Sequence, residues 1–372
     1  MRVADGRVLL ERRLPQQFDA VGIDEAEHVL RVITLDGTVQ SFDISQLFDK
    51  PVREGGERSL LSPGGHLLAI GAYRDVGLWD TRTGQRIGAP VSGPGNILAF
   101  SPDGRRLAAA ASWDDRVWII DTGSGGVLDS FRASAKEATG IGGLAFSPDG
   151  HTLAISSSRQ YGLLPLELRD LRTGSLIRTD LRTGDGFAFR PDGKMLVAGA
   201  SPQIVDPATG ARRPPPGGLG SLTAPYAFRP DGGVIAVNAS SRISLWKSDL
   251  SSSVGDLAEA AQPLSLSWSP DGDTLASYER DGGIRIWDVP HRQHLGLVFE
   301  DLSSLGSGEA ASVAFSADGK TLYGATPGGV LRRFPLDGER AAAAVCARAG
   351  RGLTTGEWQR YLPGTQPFTV CG

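Results

Sequence analysis

The chain is short of the features that announce a catalyst, a membrane protein or a nucleic-acid binder. Its 2 cysteines in 372 residues are too few for a disulfide-stapled scaffold. No stretch approaches the roughly 18 to 20 apolar residues of a membrane helix. The opening MRVADGRVLLERRLPQQ lacks the unbroken apolar core of a signal peptide. A cytoplasmic location with no membrane partner is the expectation. Lysine occurs only as Lys50, Lys136, Lys194, Lys247 and Lys320, and no basic run interrupts a formal net charge of −4. Nucleic-acid backbones reward a concentrated positive patch, so nucleic acid is not an expected partner. Missing too are a Gly-x-Ser-x-Gly elbow, a phosphate loop ending in Gly-Lys-Ser/Thr and a His-Glu-x-x-His pair. These absences argue against an enzyme, and no cofactor is expected.

What the chain has in excess is turns. Its 50 glycines and 23 prolines are spread along the sequence rather than pooled, which reads as many tight turns joining short strands, an all-β pattern. One turn recurs: SPGG at 62–65, SPDG at 101–104, SPDG at 147–150, RPDG at 190–193, RPDG at 229–232, SPDG at 269–272 and SADG at 316–319. Successive prolines of these turns stand 39 to 46 residues apart, which suits one supersecondary unit per repeat. The chemistry fits a reversal. Proline pre-sets φ, aspartate bonds back to the local backbone, and glycine takes the positive φ. An apolar strand ending in an aromatic precedes most copies, as in ILAFSPDG and GFAFRPDG. A small-residue strand follows, such as RRLAAAAS or KMLVAGAS, and then an alternating third strand, such as VGLWDTRTG or IRIWDVP. The small residues of the second strand are expected where strands crowd at the axis of a ring.

Leu78-Trp79-Asp80 and Ile286-Trp287-Asp288 resemble the Trp-Asp signature that ends the third strand of a WD40 blade, and 118–121 and 246–247 carry weaker versions. The resemblance covers nearly the whole chain. It implies a single β-propeller of four-stranded antiparallel blades. The Gly-His pair that precedes each first strand in the family is missing, so the family's buried Asp-His-Ser-Trp network is not expected. The closing segment CARAGRGLTTGEWQRYLPG resembles that of large actinobacterial WD40 proteins, whose propeller follows an NTPase, protease or kinase domain. Such an effector is therefore an expected partner class, and a monomer the expected state.

A degenerate copy at 18–45 raises the count to eight three-strand units, and eight blades is the expectation, with seven the alternative. Residues 7–14 are then available as the outer strand of the last blade, closing the ring and removing an exposed edge. On this reading 1–338 form the propeller and 339–372 a tail. Alanine-rich GERAAAAVCARAG and a capping box, Thr354 to Glu357, predict short helices in that tail. Cys346 and Cys371 bracket it. A bridge between them would close a loop of about 25 residues and contribute about 3 kcal/mol; two unbonded thiols are the alternative.

Candidate chemistry is sparse. His291 and His294 are three residues apart but lack a third ligand, so no metal site is expected. The turn aspartates Asp103, Asp149, Asp192, Asp231, Asp271 and Asp318 stand one per repeat, which cannot build an oxygen cage for calcium. Loops joining second to third strands are better candidates, because a rigid scaffold holds them while their sequence is free to vary. They read Tyr73-Arg74, Trp113-Asp114-Asp115, Arg159-Gln160-Tyr161 and Tyr278-Glu279-Arg280. Tyrosine, tryptophan and arginine are the residue types of binding hot spots. The expected function is a non-catalytic scaffold or sensor that binds a protein or peptide. The alternative is a lactonase-like hydrolase or quinoprotein-like dehydrogenase working at a central channel.

Overall fold

The computed structural model describes the strands within 18–43 and residues 56–336, less 135–136, 160–161, 184–185, 200, 217–221, 240–241, 258–259, 261, 281–282, 301–311, 327–328 and 330. Among the described residues every regular element is a strand. Blade 1 consists of Arg58–Leu61, Leu67–Ala72, Asp75–Asp80 and Arg86–Ser92. Blade 2 consists of Ile97–Phe100, Arg106–Ala111, Asp114–Asp121 and Val127–Arg132. Blade 3 consists of Gly140–Phe146, Thr152–Arg159, Pro165–Asp170 and Leu176–Arg182, with Gly162–Leu163 paired to its second strand. Blades 4, 5 and 6 span 187–213, 223–257 and 263–300, each with four antiparallel strands. Blade 7 has Ser312–Phe315, Thr321–Ala325 and Leu331–Pro335.

The repeated turns join first to second strands. Each glycine amide bonds the carbonyl three residues back, as Gly104 to Ser101 at 2.8 Å, and Gly104 sits at φ 69° where a side chain would be strained. The Asp103 carboxylate accepts the Ser101 hydroxyl and, at 3.1 Å, the Arg105 amide. A second turn, Asp-x-x-Thr/Ser-Gly, joins third to fourth strands. Asp80 there accepts the amides of Arg82 and Thr83. The two turns of a blade are tied together, with the Thr81 hydroxyl on the Gly65 carbonyl at 2.7 Å and Thr122 on Gly104 at 2.7 Å. They occupy one face of the molecule, and loops joining second to third and fourth to first strands occupy the other.

The core lies between blades, one cluster at each junction. In the second strand of blade 2, Ala108 and Ala110 face blade 3, where they meet Leu144, Phe146 and Ile155. The alternate residues Leu107 and Ala109 face blade 1, against Leu67, Val76 and Leu78. The two-residue period of a strand therefore sends successive side chains into two different interfaces. Such a strand is buried on both faces and reads as continuously apolar. Fourth strands lie at the circumference; Arg86–Ser92 is almost wholly exposed.

The ring closes between blades 7 and 1. Leu68, Ile70 and Trp79 pack on Ala314 and Ala325. The Leu61 amide bonds the Ser312 hydroxyl at 3.0 Å, and the Ser59 hydroxyl bonds the Ala325 carbonyl at 3.1 Å. Gly64 and Ser316 form a parallel bridge. This junction corrects the expected count: the ring has seven blades, not eight. The degenerate first copy is a three-stranded sheet, Phe18–Asp24, Val29–Thr34 and Val39–Asp43, but blade 7 meets blade 1 directly and leaves it no place in the ring. The proposed closing strand 7–14, the tail helices and both Cys346 and Cys371 lie outside the described residues.

A second correction concerns the axis. Contacts between neighbouring blades near the centre run first strand to first strand, as between 97–100 and 140–146 or 263–268 and 312–315. First strands line the channel. Second strands are the next layer out, and their alanines and serines are small because they are clasped between two blades.

Candidate functional site

The second-to-third-strand loops of blades 1 and 2 put two large rings side by side on the face opposite the turns. Tyr73 and Trp113 stack with centroids 4.5 Å apart and planes inclined by 27°. They remain 56% and 37% exposed. The Arg74 guanidinium lies 5.4 Å from the centre of the Tyr73 ring, within reach of a cation–π attraction. Trp113 rests on the loop that enters blade 2. A Cβ added at Gly95 would come within 2.7 Å of its ring and 3.1 Å of Ala111 Cβ. Gly71, at the end of the second strand of blade 1, is equally confined, since a Cβ there would lie 2.5 Å from the Gly95 carbonyl oxygen. Two glycines thus let three backbone segments crowd under the indole.

Several of the charged loop residues are paired within the face. Asp115 bonds Arg132, and Asp114 stands 3.9 Å from the same guanidinium. Arg159 reaches Glu137 at 2.7 Å. Gln160 and Tyr161 lie outside the described residues. Tyr278 and Glu279 do not belong to the face at all: both are wholly buried. The second strand of blade 6 continues through Glu279, so its last side chains are covered by neighbouring blades. Tyr278 packs with Ile284, Val313 and Phe315, and Glu279 accepts the Ser277 hydroxyl at 2.7 Å and the Arg285 guanidinium. Only Arg280 of that triplet reaches solvent.

Arg280 instead belongs to the mouth of the central channel, a cavity of about 670 Å³. First strands supply its wall, through Arg58, Leu98, Leu144, Phe187, Pro225 and Leu264 from blades 1 to 6. Asn238, Gln262 and Arg280 add polar groups at the rim. Gln262 holds φ 60°, and its carbonyl accepts the Arg280 amide at 3.1 Å. A non-glycine residue in the left-handed region is locally strained, a state that persists where the surroundings impose it and that clusters at functional sites. Sequence inspection missed Gln262, because nothing in one sequence marks a glutamine for that conformation. Arg58 and Asn238 were missed because they stand on strands rather than in the expected loops.

The remaining candidates serve the opposite face. Asp103, Asp149, Asp271 and Asp318 are held below the usual carboxylate range, chiefly by the neighbouring serine hydroxyl and next by a backbone amide. Asp192 is lowered first by its bond to Arg190. Asp80 and Asp170 are lowered first by the backbone amides of Thr83 and Thr173. These carboxylates are fixed parts of turns. His291 is bonded to Asp288 at 3.0 Å, while His294 faces the Trp287 ring across the strand pair. Among the described residues no three histidine, cysteine, aspartate or glutamate side chains converge as metal ligands, and no helix is long and apolar enough to cross a membrane. The signature tryptophans Trp79 and Trp287 are packed between blades.

Comparison with known proteins agrees with this geometry. The family model of the WD domain, G-beta repeat, matches residues 94–121 and 256–288, which take in the first three strands of blade 2 and, after the end of blade 5, the first three strands of blade 6. Periodic tryptophan protein 2 of Arabidopsis thaliana is 31% identical over 141 residues, 35% of this chain. The chain spans only 15% of that protein's length. The β-propeller domain of Cps50 (Swd1) from Myceliophteria thermophila superposes with a TM-score of 0.58 at 16% identity, covering 77% of this chain and 99% of that domain. Two stretches that match the WD repeat, set in a closed ring of blades, give this chain the fold of a β-propeller with WD40-like repeats.

Proposed function

We propose that the chain is a non-catalytic interaction module that receives a protein or peptide on the face carrying Tyr73, Trp113 and the channel mouth. The observation that carries this reading is the exposed stacked pair, fixed on glycine-cleared backbone beside the channel. An aromatic pair left in water on a rigid scaffold is the kind of surface that anchors a partner, since little conformational freedom is lost on binding. Relatives at the level of fold and repeat are consistent with such a role. The enzyme alternative asks for a general base or nucleophile at the channel. The described residues lining it include no aspartate, glutamate, histidine, lysine or cysteine, and the Tyr226 hydroxyl is bonded to the Gly199 carbonyl.

The test is capture from native lysate by the purified chain, compared with a Tyr73→Ala/Trp113→Ala variant of matched thermal stability. A protein retained by the parent and lost by the variant, then reconstituted from purified components, supports the module and the face. Equal retention by both would remove the face from the proposal.

A further inference from the structure

We infer that the ligand of this face is an acidic peptide segment with an apolar residue next to its carboxylates. The inference rests on the interaction reading above and adds the chemistry of the partner.

The surface is continuous from the aromatic pair to the channel. Trp113 lies on Gly95, the Gly95 carbonyl lies against Gly71, and Gly71 pairs in register with Arg58, which lines the cavity. A bound segment that covers the rings therefore also reaches the mouth. The apolar part of the ligand follows from those rings, since exposed tyrosine and tryptophan faces recover water-accessible apolar area only against an apolar group.

The charge follows from a census of the face. Its described acids each have a partner: Asp114 and Asp115 share Arg132, Arg159 holds Glu137, and the Asn96 amide donates to Glu57 at 3.0 Å. Asp75 is engaged as well. Arg74 and Arg280 have no carboxylate partner among the described residues, and Arg280 shares the channel wall with Arg58. A chain of net charge −4 thus presents guanidinium groups where its ligand-sized cavity opens. Guanidinium forks match carboxylates in shape and in charge. Asn238 and Gln262 at the rim add neutral amide groups. A basic peptide would meet Arg74 and Arg280, which carry no carboxylate of their own among the described residues.

The decisive experiment is selection of a random dodecapeptide phage library on the immobilised full chain. Selected sequences are then synthesised and titrated by fluorescence anisotropy against the parent and variants. The inference expects enrichment of aspartate and glutamate beside aliphatic, aromatic or proline residues. It also expects about tenfold weaker binding to Arg280→Glu or Arg74→Glu, a similar loss on raising salt from 0.05 to 0.5 M, and retention by Arg280→Lys. Arg74 and Arg280 are exposed, so circular dichroism and melting temperature should match the parent. Neutral or basic sequences whose binding still disappears in Trp113→Ala would overturn the acidic ligand and leave the face in place. Sequences indifferent to Tyr73→Ala, Trp113→Ala and Arg280→Glu would sink the face as well. A library that yields no enrichment overturns both.

Discussion

Trp113 is held in place by what its neighbours lack. Its ring occupies the space a side chain at Gly95 would fill, so Gly95→Ala forces either the indole or the loop to move. Overpacking of this kind costs about 1–3 kcal/mol. The expected result is a lower urea midpoint together with a shifted tryptophan emission. An unchanged midpoint and spectrum would show that the loop yields freely. Trp113→Ala differs, because the indole is 37% exposed; stability should change by less than about 1 kcal/mol while ligand capture is lost. Glu279 is the opposite case. It was read from sequence as a loop residue, yet it is wholly buried against Arg285. Removing one partner of a buried pair costs about 3–5 kcal/mol because a charge is left uncompensated. Glu279→Ala should therefore unfold at clearly lower denaturant than Trp113→Ala, and similar midpoints for the two would contradict this account of burial.

At the scale of elements the two turn types carry the titration behaviour. Aspartates such as Asp103, Asp149, Asp271 and Asp318 are held below the ordinary aspartate range by the serine hydroxyls and backbone amides of their turns. A depressed carboxylate contributes stability above its unfolded pKa, and that contribution disappears as pH falls through the folded value. The urea midpoint should hold steady from pH 7 to about pH 5 and fall below about pH 4. A midpoint that rises on acidification would refute the assignment. The Asp271→Asn variant should show a shallower acid limb than the parent. The strands behave differently, since their stability depends on fit. Ala109 is fully buried between Leu67, Val76 and Leu78 of blade 1 and its own blade, so Ala109→Leu has no space to enter. Overpacking there should cost about 1–3 kcal/mol, read as a lower melting temperature.

For the whole molecule the vulnerable point is the junction of blades 7 and 1, where residues 251 and 266 positions apart in sequence bond each other. Ser312→Ala leaves the buried Leu61 amide without its acceptor. The expected cost is about 1–3 kcal/mol, felt as a shift of one cooperative transition because every blade packs on its neighbours. An additional early transition confined to blades 1 and 7 would show instead that the ring opens locally.

Much of this was written in the sequence by itself. The Ser-Pro-Asp-Gly repeats fixed the turns, the period fixed the blade, and the aromatic and arginine content of two short loops marked Tyr73, Arg74 and Trp113, because turn chemistry and loop composition are local properties. The number of blades was not legible, since counting units finds the 18–43 sheet but cannot say which two sheets meet when the ring closes. The burial of Tyr278 and Glu279 was hidden for a related reason: a residue at a strand end is covered or exposed according to the neighbouring blade. The tertiary structure alone decided that first strands wall the channel, that Arg58, Gln262 and Arg280 share its mouth, and that Tyr73 and Trp113 stack across two blades. Each of these is a distance between segments far apart in sequence, set by the closure of the ring.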